Sequence, residues 1–109
     1  MALDLKNDPA LIAEYINKHR AVAAEIKSSI TEAGITNMII YQTGNRLFMI
    51  METDDNFSFE RKAAMDASNP LVQEWEDLVL NYQQPVPHAK PGEKWVLMDK
   101  IFELKDEEL

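Results

Sequence analysis

Residues 36–53, TNMIIYQTGNRLFMIMET, decide the fold. Two apolar runs, Thr36 to Gln42 and Arg46 to Thr53, flank the turn Thr43-Gly44-Asn45. Two such runs joined by a short Gly-containing loop make a β-hairpin. Neither run alternates cleanly, because Met38 to Tyr41 and Leu47 to Met51 are unbroken apolar stretches. An antiparallel sheet wetted on one face alternates apolar and polar residues. Both faces of this hairpin are therefore expected to be covered, the second one by the sheet of another subunit.

Upstream, Leu3 and Leu5 alternate with Asp4 and Lys6, a short first strand. One long helix is expected from about Pro9 to Ala33. Asp8 suits its cap, Pro9 its first turn and Gly34 its end. Between them Ile12, Ile16, His19, Ala23, Ile26, Ile30 and Ala33 recur at steps of three or four. Downstream of the hairpin, Asp54-Asp55-Asn56 opens a loop and a weaker helix runs from about Phe57 to Ala67. Asn69-Pro70 starts a further helix with Leu71, Val72, Trp75, Leu78, Val79 and Tyr82 on one face. Pro85, Pro87, Pro91 and Gly92 mark an irregular segment, and Trp95 to Leu104 reads as the last strand. The order is βαββαβ, the ferredoxin-like α+β sandwich, with helices over one face of an antiparallel sheet. Residues 1–104 form one domain, and 105–109 an acidic tail.

At 109 residues and 46% hydrophobic, the chain is one globular domain. A monomer of this size buries only about two-thirds of its unfolded surface, so a second subunit would add core. The net charge is −8, and no basic stripe interrupts it. Nucleic acid and anionic membranes are thus poor partners. Cysteine is absent, which removes disulfides, thiolate metal sites and a Cys nucleophile. With no apolar run of membrane-spanning length, a start (Met-Ala-Leu-Asp-Leu-Lys) unlike a signal peptide, and a final Asp-Glu-Glu-Leu lacking the Lys of a retention signal, the expected compartment is the cytoplasm.

His19 is the residue that points to chemistry. It lies on the apolar stripe of the first helix, one turn after Tyr15, so a group that titrates near neutrality faces inward. A lone His on an apolar face is most often a packing residue, and so are a helical Trp and a Tyr near a strand end. Tyr15, His19, Tyr41 and Trp75 taken together nevertheless describe a sugar pocket. Aromatic faces stack on C–H surfaces, and hydroxyls and imidazole meet sugar oxygens. Other chemistries fit less well. His88, the second His, sits in the Pro-rich loop away from any carboxylate cluster, so no metal site is expected. The glycines are scattered, and no nucleophile elbow is present.

The chain resembles the L-rhamnose mutarotase family, which includes an L-fucose branch, over nearly its whole length. The segments that carry the resemblance are Glu14 to His19, Ile39-Ile40-Tyr41, Asn45 to Met49, Gln73-Glu74-Trp75-Glu76, and Lys94-Trp95-Val96 through Ile101-Phe102-Glu103-Leu104. The resemblance implies a homodimer of the dimeric α+β barrel type. It also implies cofactor-free interconversion of the anomers of a monosaccharide. By position it makes His19 the catalytic acid/base and Tyr15, Tyr41 and Trp75 substrate-binding. Glu76 stands where rhamnose-type members look to have a second Trp, and Ala23-Ala24 where members tend to carry Trp-Pro. The stretches Gln83-Gln84-Pro85 and Lys90 to Trp95 look more like the fucose branch. L-fucose is therefore the expected substrate, with Glu76 as a contact, and L-rhamnose the alternative. A small dimeric α+β-barrel monooxygenase also pairs a helix His with Trp, and a non-enzymatic ligand-binding or dimerisation module is the bland alternative.

Overall fold

The computed structural model describes residues 1–105; Asp106 to Leu109, the acidic part of the tail, lie outside them. Among the described residues, four strands and four helices follow in the order β1 (Ala2–Leu5), α1 (Pro9–Lys18), a 3-10 turn (His19–Ala21), α2 (Ala24–Glu32), β2 (Ile35–Thr43), β3 (Arg46–Thr53), α3 (Phe59–Ala67), α4 (Pro70–Leu80) and β4 (Gln83–Gln84). The sheet order is β2-β3-β1-β4, with every pairing antiparallel. This is the expected ferredoxin-like α+β arrangement.

The hairpin holds the register. Thr43 pairs with Arg46, leaving Gly44 and Asn45 as a two-residue loop. Gly44 has φ +54° while Asn45 stays negative, the pattern of a type II′ turn, whose twist matches that of the strands. Asn45 then ties the loop to β1: its backbone oxygen accepts from Leu5 N at 2.6 Å, and its side-chain amide donates to Leu5 O at 3.1 Å.

The pleat sorts the strands into two unlike faces. Leu3, Leu5, Leu47 and Met49 point under the helices and are buried. There they meet Tyr15, Val79 and Tyr82, with Ile12, Trp75 and Trp95 packed around them. The opposite face carries Asp4, buried beneath a two-pronged bond from its cross-strand partner Arg46 at 2.7 and 3.1 Å. It also carries Ile39 opposite Ile50 and Tyr41 opposite Phe48, all between 39% and 56% exposed. Both faces are apolar, as the sequence indicated, but within one chain only one of them is covered.

The helix starts follow their caps. Asp8 Oδ1 accepts from Ala10 N at 2.9 Å, and Asn69 Oδ1 accepts from Leu71 N at 3.1 Å; a proline follows each cap. α3 starts at Phe59 rather than Phe57, because the Ser58 hydroxyl accepts from Arg61 N at 3.0 Å. On α4, Val72 and Val79 are buried, while Leu71 and Leu78 stand 47% and 37% exposed, so the inward face is narrower than the apolar spacing implied.

Two larger expectations fail. The single helix from Pro9 to Ala33 is two helices. After His19 the backbone leaves the α region, with Val22 at φ −70°, ψ 133° and Ala23 at φ −59°, ψ 146°. Both pieces keep their apolar side on the same sheet, which is why the spacing looked continuous. The second correction concerns the last strand. β1 is only four residues long and its free edge is used twice: Gln83–Gln84 pairs with Leu5 and Asp4, and Val96 bridges Ala2 through bonds of 2.8 and 2.9 Å. No edge of β1 is left for residues 97–104. Leu97, Met98, Ile101, Phe102 and Leu104 continue past the sheet without strand pairing, 58–95% exposed.

α2 begins without a side-chain cap, since Ala23 offers none. Ala24 is its first residue, where a proline costs no internal bond and its fixed φ is already helical. The extended Ala23 also suits the residue before a proline. Ala24→Pro is expected to raise the unfolding free energy by about 0.4–1 kcal/mol in chemical denaturation; a loss of stability would contradict this helix boundary.

Candidate active site

The space between the inner sheet face and the helices is a cavity of 660 Å³. Met38, Ile40 and Met49 form its floor from β2 and β3, and Trp75 on α4 forms one wall. The break after α1 delivers His19 to it.

The break also explains how the imidazole is held. In an uninterrupted helix the Tyr15 carbonyl would accept from the backbone N–H of residue 19. At the C-cap that N–H turns instead to the oxygens of Ile16 and Asn17. The imidazole takes its place, with Nδ1 2.9 Å from Tyr15 O. A carbonyl can only accept, so Nδ1 carries the hydrogen and, in the neutral ring, Nε2 keeps a free lone pair. Tyr15 and Trp75 clamp the ring from two sides. The Tyr15 centroid lies 4.4 Å away, tilted by 37°, and the Trp75 centroid 5.2 Å away at 66°.

Tyr15 is almost fully buried. Burial pushes its phenol above the ordinary tyrosine range; the bond from Gln83 Nε2 at 3.4 Å opposes this, and the negative charge of Glu76 adds to it. The hydroxyl is therefore a neutral group at neutral pH. Glu76 follows Trp75 on α4 and pairs with Lys94 at 2.8 Å, both side chains about 40% exposed. The ion pair bridges α4 and the segment after β4 on the lining of the cavity.

Four of the five residues singled out in the sequence thus line one cavity: Tyr15, His19, Trp75 and Glu76. Tyr41 does not join them within this chain. It alternates with Ile40 along β2 and so stands on the outer face, paired with Phe48 and 56% exposed. His88 lies exposed in the turn after β4. Among the described residues, no three His, Asp or Glu side chains converge as metal ligands would. The sequence did not disclose Gln83, Lys94 and Trp95 as lining residues. Gln83 belongs to a strand of two residues, too short for any period to show. Chemically, an aromatic wall, a buried phenol and an imidazole with one free nitrogen suit a neutral polyhydroxyl ligand that must gain and lose a proton.

Known proteins resemble the chain over most of its length. The family model described as L-rhamnose mutarotase matches residues 1–104. An L-fucose mutarotase of Xanthomonas campestris pv. campestris is 41% identical, the match covering 95% of this chain and 85% of that one. An L-rhamnose mutarotase of Phocaeicola vulgatus is 28% identical, covering 76% of this chain and 78% of the other. The crystal structure of an L-rhamnose mutarotase from Formosa agariphila superposes with a TM-score of 0.67 at 17% identity, covering 95% and 94% of the two chains, a likeness of fold.

Proposed function

The chain belongs to the L-rhamnose mutarotase family, and on that premise we propose that it interconverts the α and β anomers of a 6-deoxyhexose, L-fucose ahead of L-rhamnose, by cofactor-independent acid/base chemistry at His19. The observation that carries the reading is the imidazole held by the Tyr15 carbonyl, with its second nitrogen free and aromatic rings on two sides. The preference for L-fucose is supported by the 41% identical relative of that name and by Glu76 at the position after Trp75.

Nε2 of neutral His19 removes the proton from the anomeric hydroxyl. The electron pair forms the C1 carbonyl as the bond from C1 to the ring oxygen breaks, and the ring oxygen takes a proton from water or from the Tyr15 hydroxyl. The aldehyde turns about its bond to C2. The ring oxygen then attacks the other face, its proton returning to the donor and the imidazolium proton passing to the new anomeric oxygen. Trp75 supplies a face for the C–H side of the ring. Positioned acid/base catalysis is worth about a hundred- to ten-thousandfold, enough for a reaction that already proceeds unaided in water. Within one chain the sheet stands between Tyr41 and the cavity, so a role for it in binding requires a route through a second subunit.

We also propose a homodimer in the cytoplasm. Ile39, Tyr41, Phe48 and Ile50 form an exposed apolar patch on the outer sheet face, and Leu97, Met98, Ile101, Phe102 and Leu104 are exposed apolar residues as well. A second copy supplies complementary surface to both, as an isologous interface requires. No helix among the described residues is long and apolar enough to cross a membrane. A chain without cysteine draws no stability from an oxidising compartment.

The catalytic assignment is tested with His19→Asn, whose amide can still donate to the Tyr15 carbonyl but cannot titrate. Saturation-transfer NMR of anomer exchange is expected to show a loss of about a hundredfold or more in this variant, with its thermal unfolding close to the parent's. Full exchange by the folded variant would end the acid/base role of His19. For the assembly, sedimentation at micromolar concentration is expected to give twice the 12.5 kDa chain mass. Phe48→Glu is expected to return the monomer, and a monomeric parent would contradict the interface.

A further inference from the structure

We infer that Gln83 is a specificity-determining residue of this site: one polar atom of its buried amide holds the Tyr15 hydroxyl, and the other is offered to a ring hydroxyl of the sugar. The inference rests on the mutarotase reading and goes beyond it, because it states how one 6-deoxyhexose is told from another.

Gln83 sits in β4 opposite Leu5, on the inner face of the sheet. It is 8% exposed and lines the same cavity as His19 and Trp75. Its Nε2 lies 3.4 Å from the Tyr15 hydroxyl. Its Oε1, among the described residues, is the one buried side-chain polar atom with no hydrogen-bond partner. Turning the amide over would not remove the deficit. The two ends of the planar group cannot both reach one phenol, so either orientation leaves one polar atom over. Buried polar atoms are normally paired, and those that are not call for an explanation. A ligand hydroxyl entering the cavity is such an explanation, since it can donate to Oε1 while the Tyr15 hydroxyl, already accepting from Nε2, donates its own hydrogen in turn.

L-fucose and L-rhamnose carry the same ring atoms and the same methyl group, and differ in configuration at C2 and C4. An apolar wall cannot separate such epimers well. A buried hydrogen-bonding group can, because the wrong epimer leaves it unpaired again. Glu76 is less suited to this reading. It is about 40% exposed and its Oε2 already accepts from Lys94 at 2.8 Å, so a sugar hydroxyl there competes with both water and an ion pair. Gln83 faces no such competitor.

The test compares anomer exchange of L-fucose and L-rhamnose by the parent and by Gln83→Met, which keeps the length and removes both polar atoms. L-fucose exchange is expected to fall about tenfold or more, with L-rhamnose changed far less, so that the ratio between them moves. A packing role alone would slow both sugars equally, and an unchanged ratio overturns the inference while leaving the mutarotase reading intact. If Gln83→Met fails to fold, the parent with 2-deoxy- and 4-deoxy-L-fucose decides. One of the two must lose a comparable factor relative to L-fucose, and exchange of both at the L-fucose rate overturns the assignment. A parent that accelerates exchange of neither sugar overturns the mutarotase reading, and this inference with it.

Discussion

The hydrogen bond between the Tyr15 carbonyl and the His19 imidazole joins the fold to its chemistry. It sits at the point where α1 stops, and it satisfies a carbonyl that the lost helical turn would otherwise have served. The same bond sets which imidazole nitrogen is free. Had the helix continued from Pro9 to Ala33, the backbone would have served Tyr15 and this hydrogen bond would not orient the ring. A local backbone irregularity thus becomes a positioned acid/base, with Tyr15 and Trp75 limiting how the ring can turn.

The sheet imposes the second constraint. Its period of two sends Leu3, Leu5, Leu47 and Met49 to the helices and leaves Ile39, Tyr41, Phe48 and Ile50 outside. β1 is central yet only four residues long, and its free edge is shared between β4 and Val96. That sharing brings the segment after α4 under the cavity: Gln83 enters beside Leu5, while Lys94 and Trp95 arrive just before the bridge at Val96. The short edge that denies residues 97–104 a place in the sheet is therefore also what closes the site.

Much of this was legible in the sequence, and the failures have physical causes. The hairpin was readable because Gly44-Asn45 is a strong turn signal between two apolar runs. Tyr15, His19 and Trp75 were readable because helical spacing places them inward. The break after His19 left no mark: no Gly or Pro lies between Lys18 and Glu25, and α1 and α2 pack on one sheet, so the apolar spacing runs on across it. Residues 95–104 have strand-like composition, but composition does not reveal that the edge they would join is already occupied. Tyr41 was grouped with the site by residue type, and only the register shows it on the far side of the sheet. Gln83 was invisible because a two-residue strand has no period and a glutamine usually marks a surface.

The fixed orientation of His19 is tested most directly by NMR of the protein labelled with 15N in its histidines, read where the ring is neutral. Nδ1 of His19 is predicted to carry the proton and Nε2 to show the shift of an unprotonated nitrogen, with that pattern lost when Tyr15 and His19 separate on unfolding. A neutral His19 protonated at Nε2 would contradict the account, because the nitrogen assigned to the sugar would then have no lone pair with which to begin the reaction.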